Sequence, residues 1–156
     1  YAKMMGKLWE YRVSQFELLK TQGFVSTPTG RRRRFYFINQ ENQDEARKAA
    51  MNAPIQGLSS EITLISMIEL HQGGAGHIYR WGARIVMTVH DSIILECPEG
   101  AAIVKKVAAI VESKIVEVAT RYVKSLPWGV DTSVGTNLGS LIPLERWLQE
   151  HVHENT

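Results

Sequence analysis

The sequence predicts an α+β fold in which helices cover one face of an antiparallel sheet. Residues 84–97 hold two apolar runs rich in β-branched side chains, 85–89 and 93–95, which a short polar break separates. That pattern is typical of a β-hairpin. Apolar residues recur at helical spacing on both sides of it, at residues 52–70 and 98–122.

The first third of the chain predicts a helix followed by a small hairpin. Residues 1–22 contain no proline and carry apolar residues near helical spacing, and Gly23 fits the helix end. The turn signal at residues 28–30 lies between two β-prone runs, so we expect a hairpin whose return strand carries the arginines 31–34. Residues 41–50 then suit a short helix or helical loop.

A second helix is predicted to start near Pro54, because a first helical position tolerates the missing N–H of proline. Its apolar stripe consists of Ile55, Leu58, Ile62, Ile65 and Ile68. Residues 71–76 are expected to end this helix and form a flexible link. A long helix at 98–122 should pack on the sheet, residues 130–134 should add a third strand, and 143–152 suit a short terminal helix.

Composition and charge narrow the class of protein. The chain is 44% hydrophobic and 22% charged, with no apolar run long enough to cross a bilayer, so we expect no membrane partner. The single Cys97 cannot form an internal disulfide, which fits a reducing compartment. Residues 1–48 carry a net charge of +5 and the remainder −3; the run of four arginines at 31–34 favours a phosphate-rich partner.

Asp91 lies in the polar break of the central hairpin, where two interpretations are open. A carboxylate on a rigid turn suits Mg²⁺, which prefers hard oxygen ligands. Aspartate is also a common turn former with no further role. The hairpin alone does not decide between a metal ligand and a turn residue.

Four segments of the chain favour the metal-ligand interpretation of Asp91, because together they resemble one known protein family. They are Asn-Ala-Pro-Ile-Gln-Gly at 52–57, Val-His-Asp at 89–91 with Glu96 five residues on, the run at 130–135, and the glycine-bounded stretch at 23–31. Together they resemble the C-terminal part of family A DNA polymerases, the bacterial polymerase I group. The resemblance runs from about residue 10 to about residue 141.

The resemblance implies specific roles around the hairpin. Asp91 corresponds to the second of two palm aspartates that bind two catalytic Mg²⁺ ions, and His90 to a residue that supports the primer 3′ end. The family commonly has glutamate where this chain has Ser92. Serine carries no charge, so the metal assignment depends more heavily on Asp91.

The resemblance also implies a DNA track, with a primer–template and deoxynucleoside triphosphates as partners. Gln56 corresponds to a minor-groove contact and Asn52 to a residue that helps hold that region. The family's usual DNA-binding arginine falls at Lys48, beside Arg47, and both stay candidates. The arginines of the basic hairpin are further candidates, namely Arg31, Arg32, Arg33 and Arg34.

By the same resemblance, residues 1–40 are the end of the fingers region, 41–142 the C-terminal palm, and 143–156 a tail. The first palm aspartate and the nucleotide-binding fingers helix have no counterpart, and neither Asp44 nor Asp131 has the right context. The chain is therefore expected to be a fragment or a split-enzyme subunit. It would be active only with the N-terminal polymerase segment, which would supply the second set of ligands for the two Mg²⁺ ions. We expect this activity in the cytoplasm of a bacterial or phage-infected cell.

Two alternatives follow from the residues themselves. A magnesium-dependent nuclease or phosphohydrolase would need a further carboxylate near Asp91, and Glu96 is the candidate on the same hairpin. Strand alternation places that carboxylate on the opposite face, which counts against this alternative. A non-catalytic DNA-binding module would use Gln56 and the arginines 31–34.

Overall fold

The computed structural model describes residues 2–73 and 78–151, which form two compact units, Tyr1–Glu61 and Ile62–Thr156. The helices are α1 Ala2–Gln22, α2 Gln43–Gln72, α3 Ala101–Tyr122 and α4 Leu144–His151, with a 3-10 turn at Ile78–Trp81. The strands are β1 Phe24–Ser26, β2 Arg32–Arg34, β3 Arg84–Val89, β4 Ser92–Glu96, β5 Ser133–Val134 and β6 Ile142–Pro143. The predicted α+β class is confirmed. Of the predicted link at 71–76 and the predicted tail at 143–156, residues 74–76 and 152–156 lie outside the described residues.

The core of the first unit forms where α1, α2 and the small hairpin meet. Leu19, Val25 and Ala50 are buried together, and Phe16 and Phe35 pack against them. Gly23 ends α1 with a φ of 70°, a backbone conformation that favours glycine. The hairpin follows at once, with Val25 opposite Arg33. The prediction of a small hairpin that carries arginines on its return strand is confirmed.

The predicted break between residues 50 and 54 is wrong. One helix, α2, runs from Gln43 to Gln72 with Pro54 in its interior. An interior proline removes one helical hydrogen bond and costs about 3 kcal/mol. Burial offsets this cost, because Pro54 itself is buried and Ala50 and Leu58 are buried on either side of it.

The predicted apolar stripe of α2 is confirmed only in part. Leu58 and Ile62 are buried, whereas Ile55 and Ile68 are more than half exposed. Ser66, a polar residue that is not part of the predicted stripe, is completely buried. Partners elsewhere in the chain therefore select the buried face of this helix more than its own hydropathy does.

The second unit is organised around the hairpin of β3 and β4. Its core contains Leu70, Ile78, Ala83, Val107 and Val111, and apolar residues of both strands and of α3 pack against them. The prediction that α3 packs its apolar stripe on the hairpin is thereby confirmed.

The hairpin pairs in antiparallel register from Arg84 opposite Glu96 to Val89 opposite Ser92, with a bulge between Ile85 and Met87. The bulge adds one residue to β3 that has no partner in β4. Along β3 only Ile85 is half-buried, and the other five residues are exposed.

The predicted third strand does not join this hairpin. In the part of the chain that the structure describes, β5 pairs with β6 in a separate two-stranded ribbon. The chain turns back between Gly135 and Ser140, where an added Cβ on Gly135 would lie 2.6 Å from the Ser140 carbonyl oxygen. Thr132 donates its hydroxyl to Glu112 of α3. The backbone of β5 thus pairs with a strand that is close in sequence. Among the described strands, the outer edges of the β3–β4 hairpin remain unpaired.

A charged network joins α2 to α3 within the second unit. Arg121 donates to both carboxylate oxygens of Glu69, at 2.6 and 3.1 Å, and Lys114 lies 3.4 Å away. The hydrogen bond from Arg121 holds the pKa of the Glu69 carboxyl below its ordinary value of 4.5. A carboxyl with a lowered pKa stabilises the fold at pH values above its unfolded pKa.

We predict that Glu69→Gln lowers the free energy of unfolding at neutral pH by a small amount. The difference from the wild type should persist above pH 4.5 and shrink as the pH falls through the lowered pKa of the folded state. Urea unfolding at a series of pH values measures it. The control is Glu150→Gln, which breaks the exposed pair with Arg146. An equal loss in both variants, or a loss independent of pH, would contradict the prediction.

Candidate nucleic-acid interface and metal-binding hairpin

The tip of the β3–β4 hairpin is a two-residue loop of His90 and Asp91. Its first residue, His90, has a φ of 56°, in the left-handed region that non-glycine residues seldom adopt. Two-residue hairpin loops require such a backbone because its twist matches that of the paired strands. The sequence predicted a three-residue break, but Ser92 already belongs to β4 and pairs with Val89.

Both tip side chains are exposed, and the backbone of the tip is anchored. Thr63 donates its hydroxyl to the backbone carbonyl of Asp91 at 3.3 Å. The Asp91 carboxylate therefore stands at the surface on a fixed turn. This placement suits an oxygen ligand for a divalent ion that also contacts a substrate phosphate.

Glu96 does not join Asp91. It pairs with Arg84 at the far end of the hairpin, about 16 Å along the strand at the usual rise per residue. Among residues 2–73 and 78–151, no three histidine, cysteine, aspartate or glutamate side chains form a group that could hold a metal ion. The described residues thus offer a single carboxylate at the tip, which fits a contribution to a metal site and does not fit a complete two-ion site.

The first unit contains a cleft of about 430 Å³ between the small hairpin and α2. It is lined by Val25, Thr27, Arg31, Arg32, Arg33, Ala53, Pro54, Gln56, Gly57 and Ser60. The structure thereby brings Gln56 together with three of the four predicted arginines. The cleft has a cationic wall on the strand side and an amide on the helix side.

Gly57 lets the hairpin approach the helix. A Cβ on this residue would lie 2.7 Å from Cγ2 of Thr27, which is closer than packed carbon atoms come. A larger residue would push β1 away from α2 and widen the cleft. The glycine beside Gln56 is therefore explained by packing, without any contact to a ligand.

A hydrogen-bonded chain that the sequence analysis missed fixes the turn of the small hairpin. Thr29 donates its hydroxyl to the buried carboxylate of Glu61, and the hydroxyls of Thr27 and Thr29 lie 2.7 Å apart. The backbone N–H of Arg31 donates to the Thr27 hydroxyl at 3.1 Å. The only sequence signal was the pair of threonines that flank the turn, because Glu61 lies 32 residues from Thr29.

The arginine side chains are all exposed, and two lie over aromatic rings. The guanidinium of Arg32 is 4.7 Å from the ring centre of Phe24, and that of Arg33 is 5.5 Å from that of Phe35. Such cation–π contacts restrain a guanidinium while its N–H donors stay free for phosphate. The hairpin thus presents oriented positive charge.

The other candidates on α2, namely Arg47, Lys48 and Asn52, lie outside the cleft lining. Lys48, Asn52 and Gln56 are four residues apart and all exposed, so they form one polar stripe along the helix. Arg47 is held internally instead, with its guanidinium 4.1 Å from the ring centre of Phe16 and 3.5 Å from Asp44. Of the two basic candidates, the geometry favours Lys48 for an external contact.

Known proteins similar to this chain are DNA polymerases. A sequence profile described as DNA polymerase family A matches residues 1–140. The chain belongs to DNA polymerase family A. The resemblance found in the sequence is therefore confirmed.

The individual relatives are much longer than the matched region. DNA polymerase I of Mycobacterium tuberculosis strain H37Rv is 30% identical over 118 residues, which are 74% of this chain and 13% of the relative. The DNA polymerase of Bacillus phage SP01 is 44% identical over 78 residues, 49% of this chain and 8% of the relative. This chain thus spans a small fraction of the length of the relatives it matches.

A solved structure shares the fold. The POL domain of Pol1 from M. smegmatis, in complex with DNA primer-template and dNTP, matches with a TM-score of 0.59 and 29% sequence identity. The match covers 70% of this chain and 19% of that one. No helix among the described residues is long and apolar enough to cross a membrane.

We predict that Gly57→Ala destabilises the first unit by about 1–3 kcal/mol, because the new methyl group overlaps Thr27. Gly6→Ala is the matched control, since a Cβ at Gly6 meets nothing within 4 Å. That change should stabilise α1 by about 1 kcal/mol through helix propensity alone. Thermal unfolding of both variants measures the difference. Equal stabilisation by both substitutions would show that β1 does not press against α2.

Proposed function

We propose that this chain is the C-terminal part of a template-directed DNA polymerase that works together with the preceding polymerase segment. In this proposal it contributes one metal-binding aspartate and a set of primer–template contacts. The observation that carries it is the exposed Asp91 carboxylate on an anchored two-residue hairpin tip, in a chain of family A. We place its activity in the cytoplasm of a bacterial or phage-infected cell.

Asp91 is the residue that would bind the catalytic divalent ions, proposed as Mg²⁺. Such ions neutralise charge on the attacking and leaving oxygens during phosphoryl transfer. The described residues supply one carboxylate at the tip, so the proposal assigns the other ligands to the preceding segment. Ser92, beside Asp91, offers a hydroxyl without charge and would support the site through hydrogen bonding.

His90 is proposed to support the primer 3′ end. Its side chain is exposed beside Asp91, on a tip whose backbone accepts a hydrogen bond from Thr63. An imidazole at this place can donate a hydrogen bond to a sugar or phosphate oxygen.

The DNA contacts are proposed to avoid sequence readout. Phosphate contacts position a duplex without reading bases, and the small hairpin with Lys48 supplies cations for them. Gln56 carries an amide that can donate to the minor-groove acceptors present at every correctly paired step. Asn52, one helical turn before Gln56, would support that contact.

Exposed apolar surface supports the proposed docking to a preceding segment. On the hairpin, Val86, Met87 and Val89 are each more than two-fifths exposed, and both strand edges are unpaired among the described strands. Leu8 and Trp9 of α1 are more than half exposed. Unpaired strand edges and apolar faces of this kind favour association with another part of a protein.

We predict that Asp91→Asn abolishes nucleotide incorporation while leaving the fold and DNA affinity nearly intact. The asparagine keeps the size of the side chain and removes the charge that holds the ions. Primer extension with Mg²⁺ and deoxynucleotides, by this chain together with the preceding segment, measures the effect. This chain alone should not extend a primer.

Ser92→Ala is the matched control at the adjacent position. It should cost far less activity than Asp91→Asn, because a hydroxyl supplies no charge to a metal ion. A comparable loss in both variants would give the hydroxyl a direct metal contact. Normal incorporation by Asp91→Asn would refute the aspartate assignment, and extension by the isolated chain would refute the need for a partner.

We predict that Lys48→Ala weakens DNA binding equally on all sequences and lowers the slope of log K against log salt by about 1. Gln56→Ala should weaken binding severalfold without changing the slope, because its contact is uncharged. Lys105→Ala, which removes an exposed lysine of α3, is the control and should change neither quantity. Titrations of labelled duplexes at several salt concentrations measure both. A base preference that changes in Lys48→Ala would show that this lysine contacts bases.

A further inference from the structure

The segment after β2 presents two aromatic side chains to solvent. The Phe37 side chain is 93% exposed and that of Tyr36 is 73% exposed. Their neighbour Phe35 behaves differently, because it packs against the buried cluster of the first unit. The chain thus anchors one aromatic residue in the core and extends the next two outward.

The backbone holds Phe37 outward at an energetic cost. Its φ of 57° lies in the left-handed region, which is unfavourable for a side chain with a Cβ. Asn42 maintains this conformation by donating its amide to the Phe37 carbonyl at 2.9 Å. Asn42 and Asn39 further fix each other, since each backbone N–H donates to the other's side-chain oxygen, at 3.0 and 2.9 Å.

Four exposed arginines precede the aromatic pair in the chain, with only Phe35 between them. The backbone N–H of Phe35 donates to the Gly23 carbonyl at 2.9 Å, which extends the hairpin pairing to the start of the aromatic segment. Positive charge beside exposed aromatic rings is the combination that binds single-stranded nucleic acid. Arginines hold the phosphates, and unpaired bases stack on the rings.

We propose that Tyr36 and Phe37 form a stacking platform for unpaired bases of the template strand. This inference rests on the proposed polymerase function and deepens it by naming the form of DNA that the first unit binds. Paired bases inside a duplex offer no free faces for such rings. The platform therefore selects single-stranded template, while the arginines serve single and double strands alike.

The test compares two labelled probes, the oligonucleotide (dT)12 and a blunt 12-base-pair duplex, for binding to the full chain. Phe37→Gly should weaken (dT)12 binding by at least about fivefold, the loss of one stacked base. It should leave duplex binding within about twofold, since it removes no phosphate contact. Because glycine accepts the left-handed backbone, this variant should be at least as stable as the wild type, which separates lost stacking from lost folding.

Four further measurements sharpen the test. Phe37→Trp should keep (dT)12 binding, and replacing the thymines by abasic sites should remove the difference between wild type and Phe37→Gly. Arg32→Ala should weaken both probes and lower the salt slope, which Phe37→Gly should leave unchanged. Tyr36→Ala should reproduce the selective loss on (dT)12.

Equal losses on both probes, or no loss on either, would overturn the platform. A variant that binds (dT)12 normally but associates more weakly with the preceding polymerase segment would also overturn it, because the rings would then be a protein contact. Both outcomes leave the polymerase proposal intact. A wild-type chain that binds neither probe would overturn the platform together with the proposed DNA contacts.

Discussion

The first unit depends on one close approach, that of Thr27 to Gly57. At the turn end of β1, the Cγ2 methyl of Thr27 comes near enough to α2 that only a residue without a Cβ fits at position 57. Thr27 and Thr29 then link the turn to the buried carboxylate of Glu61. Packing and hydrogen bonding together fix the arginine strand against the helix that carries Gln56. The cleft is a consequence of this contact. It is positively charged because β2, the strand that is held there, carries the arginines.

Much of the fold could be predicted because it depends on local patterns. The hairpin of residues 84–97, the basic hairpin after Gly23 and the long helix α3 each follow from hydropathy and turn signals within a short window. The rest depends on partners distant in sequence. The local sequence around Pro54 predicts a helix start, yet α2 continues through Pro54 because residues around it are buried. The partner of β5 is the short strand β6, whose two residues carry no strand signal of their own.

The candidate site likewise has a part that short motifs predict and a part that depends on contacts between residues distant in sequence. Asp91, His90 and Gln56 are candidates because a short motif marks each of them, and the side chains of Asp91 and Gln56 are exposed to solvent. The choice between Lys48 and Arg47 depends on a tertiary contact. The Arg47 guanidinium lies over the ring of Phe16, which is about thirty residues away in the sequence. In the sequence, nothing distinguishes Glu61 from other glutamates on a helix. Its structural role follows only from the hydrogen bond that it accepts from Thr29. Motifs thus indicate candidate residues, and tertiary contacts decide which of their neighbours are available for an external contact.

The bulge in β3 has a consequence for how this hairpin can tolerate insertions and deletions during evolution. Beyond the unpaired residue, the alternation of faces along β3 is offset by one relative to the part before it. Ile85 and Met87, two residues apart, therefore belong to opposite faces of the hairpin. Loss of the unpaired residue at the bulge would join the two paired parts of β3 directly, and every side chain between the bulge and the tip would keep its face. The bulge is thus a position at which the length of β3 can change by one residue without altering its pairing with β4.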